Sequence, residues 1–128
     1  MAIDLRRMHG ELGERIAEEH LEQRGYSIVA RNFRTRYGEL DLIAADDRSL
    51  VFCEVKTRVA GSRGGPDGPL DGIGPRKRLR LRRIALQWLV QTPATERPHR
   101  EELRFDAIGV MLTPAGALLA LEHLEDAF

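Results

Sequence analysis

Gly38-Glu39-Leu40-Asp41-Leu42-Ile43-Ala44 and, after a short polar break, Leu50-Val51-Phe52-Cys53-Glu54-Val55-Lys56 are the stretches that decide the fold. The first alternates polar and apolar residues at period two. That predicts a strand with Glu39 and Asp41 on one face and Leu40 and Leu42 on the other. The second is rich in β-branched and aromatic residues and places Glu54 and Lys56 on one face, Cys53 and Val55 on the opposite one. Asp46-Asp47-Arg48-Ser49 has the composition of a turn, so the two strands form a hairpin in which Asp41 approaches Glu54 across the ladder. A Glu-x-Lys sequence on a strand is ordinarily a solvated face, with an ion pair worth under about 1 kcal/mol. The other reading is chemical. Asp41, Glu54 and a backbone carbonyl, that of Val55, make a hard-oxygen site suited to Mg²⁺. Lys56 beside it would orient a water or offset charge developing on a phosphate.

Outward from this hairpin, residues 9–24 read as a helix. Leu12, Ile16, Ala17, His20 and Leu21 share one broad face, and Gly25 is a natural stop. Tyr26 to Asn32 reads as a strand. Residues 60–74 are so rich in glycine and proline that neither helix nor strand propagates through them, and they are expected to form a flexible loop. Pro75 suits a first helical turn, and residues 75–91 follow as a second helix. Residues 102–112 and 117–123 read as strands joined by Thr113-Pro114-Ala115-Gly116. The order α-β-β-β-α-β-β implies a single α/β domain, residues 1–128, with a mixed β-sheet flanked by helices.

The chain has 128 residues, 42% hydrophobic and 31% charged, with no net charge. Zero net charge predicts no polyanion partner, but the charges are unevenly placed. Arg76, Lys77, Arg78, Arg80, Arg82 and Arg83 follow one another without an acid, and so do Arg31, Arg34 and Arg36. A basic stretch is most often a solvated helix face, yet an uninterrupted one tilts toward phosphate contact. One cysteine, Cys53, excludes an internal disulfide and a cysteine zinc cluster. No run reaches the length of a membrane span and the first residues hold no apolar signal core, so a cytoplasmic protein with no membrane association is expected.

Two further residues join the candidate site. Glu14 lies at the border of the first helix's apolar face, roughly 20° around from Leu21 at 100° per residue. From the pattern alone it is a surface residue. Lys77 continues the stripe of Leu81, Ile84, Ala85, Trp88 and Leu89 toward the helix start and is the basic residue best aimed at the sheet, while Arg80, Arg82 and Arg83 point elsewhere. His9, His20, His99 and His123 show no ligand spacing and read as surface or core-edge residues. Asp106 faces opposite to Phe105 and Ala107, in a position to brace an arginine or to cap the site, with the structural role favoured.

Taken together, Gly10-x-x-Gly13-Glu14, Gly25-Tyr26, Arg31-Asn32-Phe33-Arg34, residues 38–44, Val51-Phe52-Cys53-Glu54-Val55-Lys56-Thr57-Arg58, Pro75-Arg76-Lys77 and Arg104-Phe105-Asp106 resemble the YraN family of bacterial proteins. That family is similar to the PD-(D/E)XK nucleases, near the archaeal Holliday-junction resolvases. The resemblance covers about residues 9–128 and implies a restriction-endonuclease-like core. It implies metal binding by Asp41, Glu54 and the Val55 carbonyl, and a catalytic set of Asp41, Glu54, Lys56 and Glu14, the last matching a first-helix glutamate of resolvase-like members. Glu39 belongs to the motif, either extending the metal site or pairing with an arginine. The chain departs from the family pattern at Arg78, where glutamine is usual.

The expectation is therefore a Mg²⁺-dependent endonuclease acting on DNA, branched or junction DNA included, with Mn²⁺ as a substitute metal. Arg34, Arg36, Arg58, Arg76, Lys77, Arg78 and Arg80 are the expected nucleic-acid contacts. The alternative is a nucleic-acid- or partner-binding protein that keeps the fold without cleavage. One small domain reaches one scissile phosphate, so action on a two-fold junction would call for a homodimer.

Overall fold

The computed structural model describes residues 4–61 and 73–128. The element order is that expected from the sequence. Helix α1 (Leu5–Gln23) is followed by strands β1 (Ser27–Thr35), β2 (Gly38–Ala45) and β3 (Ser49–Val59), helix α2 (Pro75–Gln91) and strands β4 (Glu102–Leu112) and β5 (Leu118–Leu124). The strands form one mixed sheet in the order β1-β2-β3-β4-β5. Only β3 and β4 run parallel, the connection passing through α2, while every other neighbour is antiparallel. Most of the glycine-rich segment expected to be a loop, residues 62–72, lies outside the described residues.

Each helix covers one face of the sheet. On the α1 side Ala17 and Leu21 pack on Leu42, Ala44, Val51, Cys53, Ile108 and Val110. On the α2 side Leu81, Ile84, Ala85 and Trp88 pack on Leu40, Ile43, Leu50, Phe52 and Ala107. Central β3 is buried on both faces from Ser49 to Cys53, which explains its unbroken apolar composition.

Local chemistry sets the boundaries. The Asp4 carboxylate accepts from Arg7 N and starts α1 earlier than its apolar stripe indicates. At the other end Gly25 takes φ +92°. The amides of Gly25 and Tyr26 then close on the carbonyls of Glu22 and Leu21, a Schellman ending that aims the chain into β1. The Asp46 carboxylate accepts from Arg48 N and Ser49 N and fixes the β2–β3 turn.

One expectation fails in an informative place. Leu40 and Leu42 do not share a face: Leu40 packs with Ile43 under α2, whereas Leu42 packs with Ala44 under α1. The β1–β2 register pairs Arg31 with Leu42 and Phe33 with Leu40 but not Asn32 with Asp41, and Asn32 sits at φ +50°. Asparagine tolerates this left-handed conformation better than other side chains. The alternation breaks at Asp41, across the ladder from this residue. Asp41 is therefore released from both cores.

Candidate metal centre

The centre forms where β2 and β3 part. Their ladder runs from Ala45↔Leu50 to Leu42↔Cys53 and ends there, while β3 continues along β4 to Val59. Just beyond the last pair the Asp41 carboxylate takes the place of a strand, accepting from Val55 N at 2.7 Å. The N–H and C=O of a strand residue point to the same edge, so the Val55 carbonyl faces the same gap.

Glu14 reaches this gap from α1 because the helix lies unusually close to the sheet. A Cβ on Gly13 would stand 1.9 Å from Thr57 Oγ1 and 2.9 Å from Thr57 Cβ. Rotating a β-branched threonine exchanges one γ atom for another and leaves its Cβ in place, so the clash cannot be relieved locally. We expect Gly13→Ala to lift α1 from β3, cost about 1–3 kcal/mol in urea unfolding and withdraw Glu14. A Gly13→Ala protein with native stability would show that the contact is dispensable.

One carboxylate oxygen each from Glu14, Glu39 and Asp41 lies within 4.8 Å of the others. Carboxylates this close oppose the ionisation of the more buried members, Asp41 and Glu14. Burial, and then the charge of Glu54, pushes Asp41 up to about 8. Glu14 is raised by its own burial and then by Glu39, against a hydrogen bond with Asp41 that works the other way. Glu39 also pairs with Arg34 at 3.0 Å, so it both extends the acidic group and holds an arginine.

Glu54, expected to join Asp41, is outside this group of three. Its Oε1 lies 2.9 Å from Lys77 Nζ on the first turn of α2. The helical stripe that aims Lys77 at the sheet thus brings it to the second carboxylate. Lys56 follows on the same strand, half-buried, as does Arg58. Arg34, Arg36, Arg76, Arg78 and Arg80 are exposed, the last lying against Gly38 in the β1–β2 turn. Arg82 and Arg83 point away from the centre, over the rings of Phe105 and Tyr37.

The residues present fit a hard divalent cation: an all-oxygen donor set, partly desolvated, with two carboxyls displaced toward protonation by crowding and burial. Sequence reasoning left the role of Glu39 open, although its spacing two residues before Asp41 was the available signal. It anticipated that Asp106 would brace an arginine, but not the cluster built around that pair. Asp106 receives Arg104 Nε and Nη2 (both 2.9 Å), His123 Nε2 (2.7 Å) and Asp126 N (3.0 Å). His123 in turn meets His20 at 2.9 Å.

No helix among the described residues is long and apolar enough to cross a membrane. The model of the uncharacterised protein family UPF0102 matches residues 13–110, which include every carboxylate of the centre and Lys77. A UPF0102 protein of Frankia alni is 42% identical over the whole of both chains. One from Nocardia farcinica is 42% identical over 93% of this chain and 87% of its own. Another, from Acidothermus cellulolyticus, is 43% identical over 80% of each. The chain belongs to the UPF0102 family.

Proposed function

We propose that this protein is a Mg²⁺-dependent endonuclease that hydrolyses phosphodiester bonds in DNA, with branched DNA as the first substrate to try. The observation that carries the reading is the convergence of Glu14, Glu39 and Asp41 at the parting of β2 and β3. The resemblance to PD-(D/E)XK nucleases, carried by Asp41, Glu54 and Lys56, agrees with it. Glu14, Glu39 and Asp41, with Glu54 and the Val55 carbonyl at the same gap, would hold the cation. When bound, Mg²⁺ supplies a Lewis acid that acidifies water and offsets charge on the phosphate.

The chain's own residues do the rest. Asp41 is fixed by Val55 N and cannot swing away from the gap. Glu14 is the other carboxyl whose protonation is raised by its surroundings, and it is the residue available to exchange a proton at that gap. Lys56 supplies positive charge on the strand that carries Glu54. The exposed arginines Arg34, Arg36, Arg76, Arg78 and Arg80 offer backbone phosphates a sequence-independent footing.

The test is cleavage of nicked, flap and four-way-junction DNA in Mg²⁺ or Mn²⁺ by wild type, Asp41→Ala and Lys56→Ala. Wild-type activity that both substitutions remove is expected. Equal residual activity in all three would sink the assignment. Salt-dependent DNA binding with no cleavage in any of them would favour the binding-protein reading, to which the Glu54–Lys77 pairing lends some support.

A further inference from the structure

Glu54 stands at the parting of the strands and raises the Asp41 carboxyl by its charge, yet its oxygen is held by Lys77 rather than grouped with Glu14, Glu39 and Asp41. We infer that the Lys77–Glu54 ion pair is a latch that keeps the second carboxylate out of the cation site until a phosphate group of the substrate takes Lys77. The inference rests on the metal-site reading above and adds regulation to it.

Three observations carry it. The contact is a single 2.9 Å pair between partly buried groups, with side-chain exposures of 28% for Lys77 and 13% for Glu54. Such a pair is stronger than a surface ion pair, but the exposed side of the ammonium remains open to a competing anion. Lys77 is also the inward member of a basic turn whose neighbours Arg76 and Arg78 are exposed, Arg78 with its Nε on the Ile73 carbonyl, so the positive potential of this turn draws phosphate toward the helix start that carries Lys77. Finally, α2 opens at Gly74, which supplies no side-chain cap. The first amides of the helix therefore favour the same anion that competes for Lys77.

The consequence is coupling. With Lys77 on Glu54, the cation meets three carboxylates. With Lys77 on a phosphate, Glu54 can turn to the gap and add a fourth. Cation affinity and phosphate binding then reinforce each other, as linkage requires. Metal would be held firmly only beside a bound backbone, which restrains idle occupancy of the site.

The test is a double-mutant cycle read by Mn²⁺ calorimetry on the full chain without DNA, using wild type, Glu54→Gln, Lys77→Met and the double variant. If the latch exists, Glu54→Gln weakens Mn²⁺ binding by less than about twofold while Lys77 is present. It weakens it by about tenfold or more in the Lys77→Met background, within the usual range of coupling. Lys77→Arg, which keeps a cation on Glu54, should behave as wild type. Removal of one positive charge alone would raise Mn²⁺ affinity in Lys77→Met but leave the cost of Glu54→Gln the same in both backgrounds. That result overturns the latch and spares the metal site. No Mn²⁺ binding by any of the proteins would overturn the metal reading and the latch with it. Thermal melts of all variants exclude misfolding as the cause.

Discussion

Asp41→Asn should abolish metal-dependent cleavage and at the same time make the protein more stable at alkaline pH. The two effects have one origin. Asparagine keeps an oxygen for Val55 N, so the strand parting survives, but it brings no charge to the crowded gap. The wild-type carboxyl, raised by burial and by Glu54 to about 8 against an ordinary 3.8, binds its proton more tightly in the folded chain than in the unfolded one. Stability must therefore fall as pH rises from about 4 to about 8 and stay low above that. The variant lacks this loss and should melt higher than wild type at pH 9 without metal. Added Mn²⁺ should reverse the order, because a ligand that binds only the folded state stabilises it and the variant has lost the central donor. Cleavage should drop by about 10³-fold or more, several kcal/mol of lost transition-state stabilisation at 1.36 kcal/mol per tenfold. Cleavage within about tenfold of wild type, or equal Mn²⁺ shifts in both melts, would remove Asp41 from the proposed centre.

Why some of this was legible in the sequence, and some not, follows from where each piece of information resides. The strands on either side of Asp46–Ser49 and the two helices declare themselves because a buried face imposes a fixed period on neighbouring residues. Lys77 could be aimed at the sheet for the same reason: its place is set by Leu81, Ile84 and Trp88 on its own helix. The break in alternation at Asp41 is different. It coincides with the left-handed Asn32 across the ladder, and the period of residues 38–44 does not mark it. The grouping of Glu14 and Glu39 with Asp41 depends on how closely α1 approaches β3, and that distance is set by the absent side chain of Gly13 against Thr57. A glycine in the middle of a helix is the only trace such a contact leaves. Glu54 shows the limit from the other direction. Its strand and face are readable, but the choice between Asp41's gap and Lys77 is made between side chains far apart in sequence.

That Asp106 could brace an arginine was readable on its own strand, but Tyr26, His123 and His20 join it across the fold, and the cluster should be a costly place to mutate for stability. Asp106 is fully buried, and His123 faces it only because the β4–β5 register sets His123 opposite Ile108, two residues on. His123 Nε2–H donates to the carboxylate, and its Nδ1 meets His20 Nε2 at 2.9 Å. Arg104 completes the set, held between Asp106 and the Tyr26 hydroxyl with a side chain only 15% exposed. Burial drives the Asp106 carboxyl upward, but hydrogen bonds from His123 and Arg104 outweigh it and hold the group below its ordinary 3.8. The stability this contributes is present above that value and is lost as pH falls through the lower folded one. Asp106→Ala leaves the arginine only the longer 3.8 Å pair with Glu125 and leaves three side-chain N–H donors facing a void. Removing one partner of a buried pair costs about 3–5 kcal/mol, most of it the penalty on the charge left behind. Urea unfolding at neutral pH should show that loss, and the variant should no longer lose this contribution in acid. Replacing the ion pair as a unit, with Arg104→Met and Asp106→Leu together, should recover much of the stability, because an apolar pair leaves no orphaned charge. A loss below about 1 kcal/mol in Asp106→Ala, or a double variant as unstable as the single one, would mean that the orphaned charge of a buried pair is not what this site costs when broken.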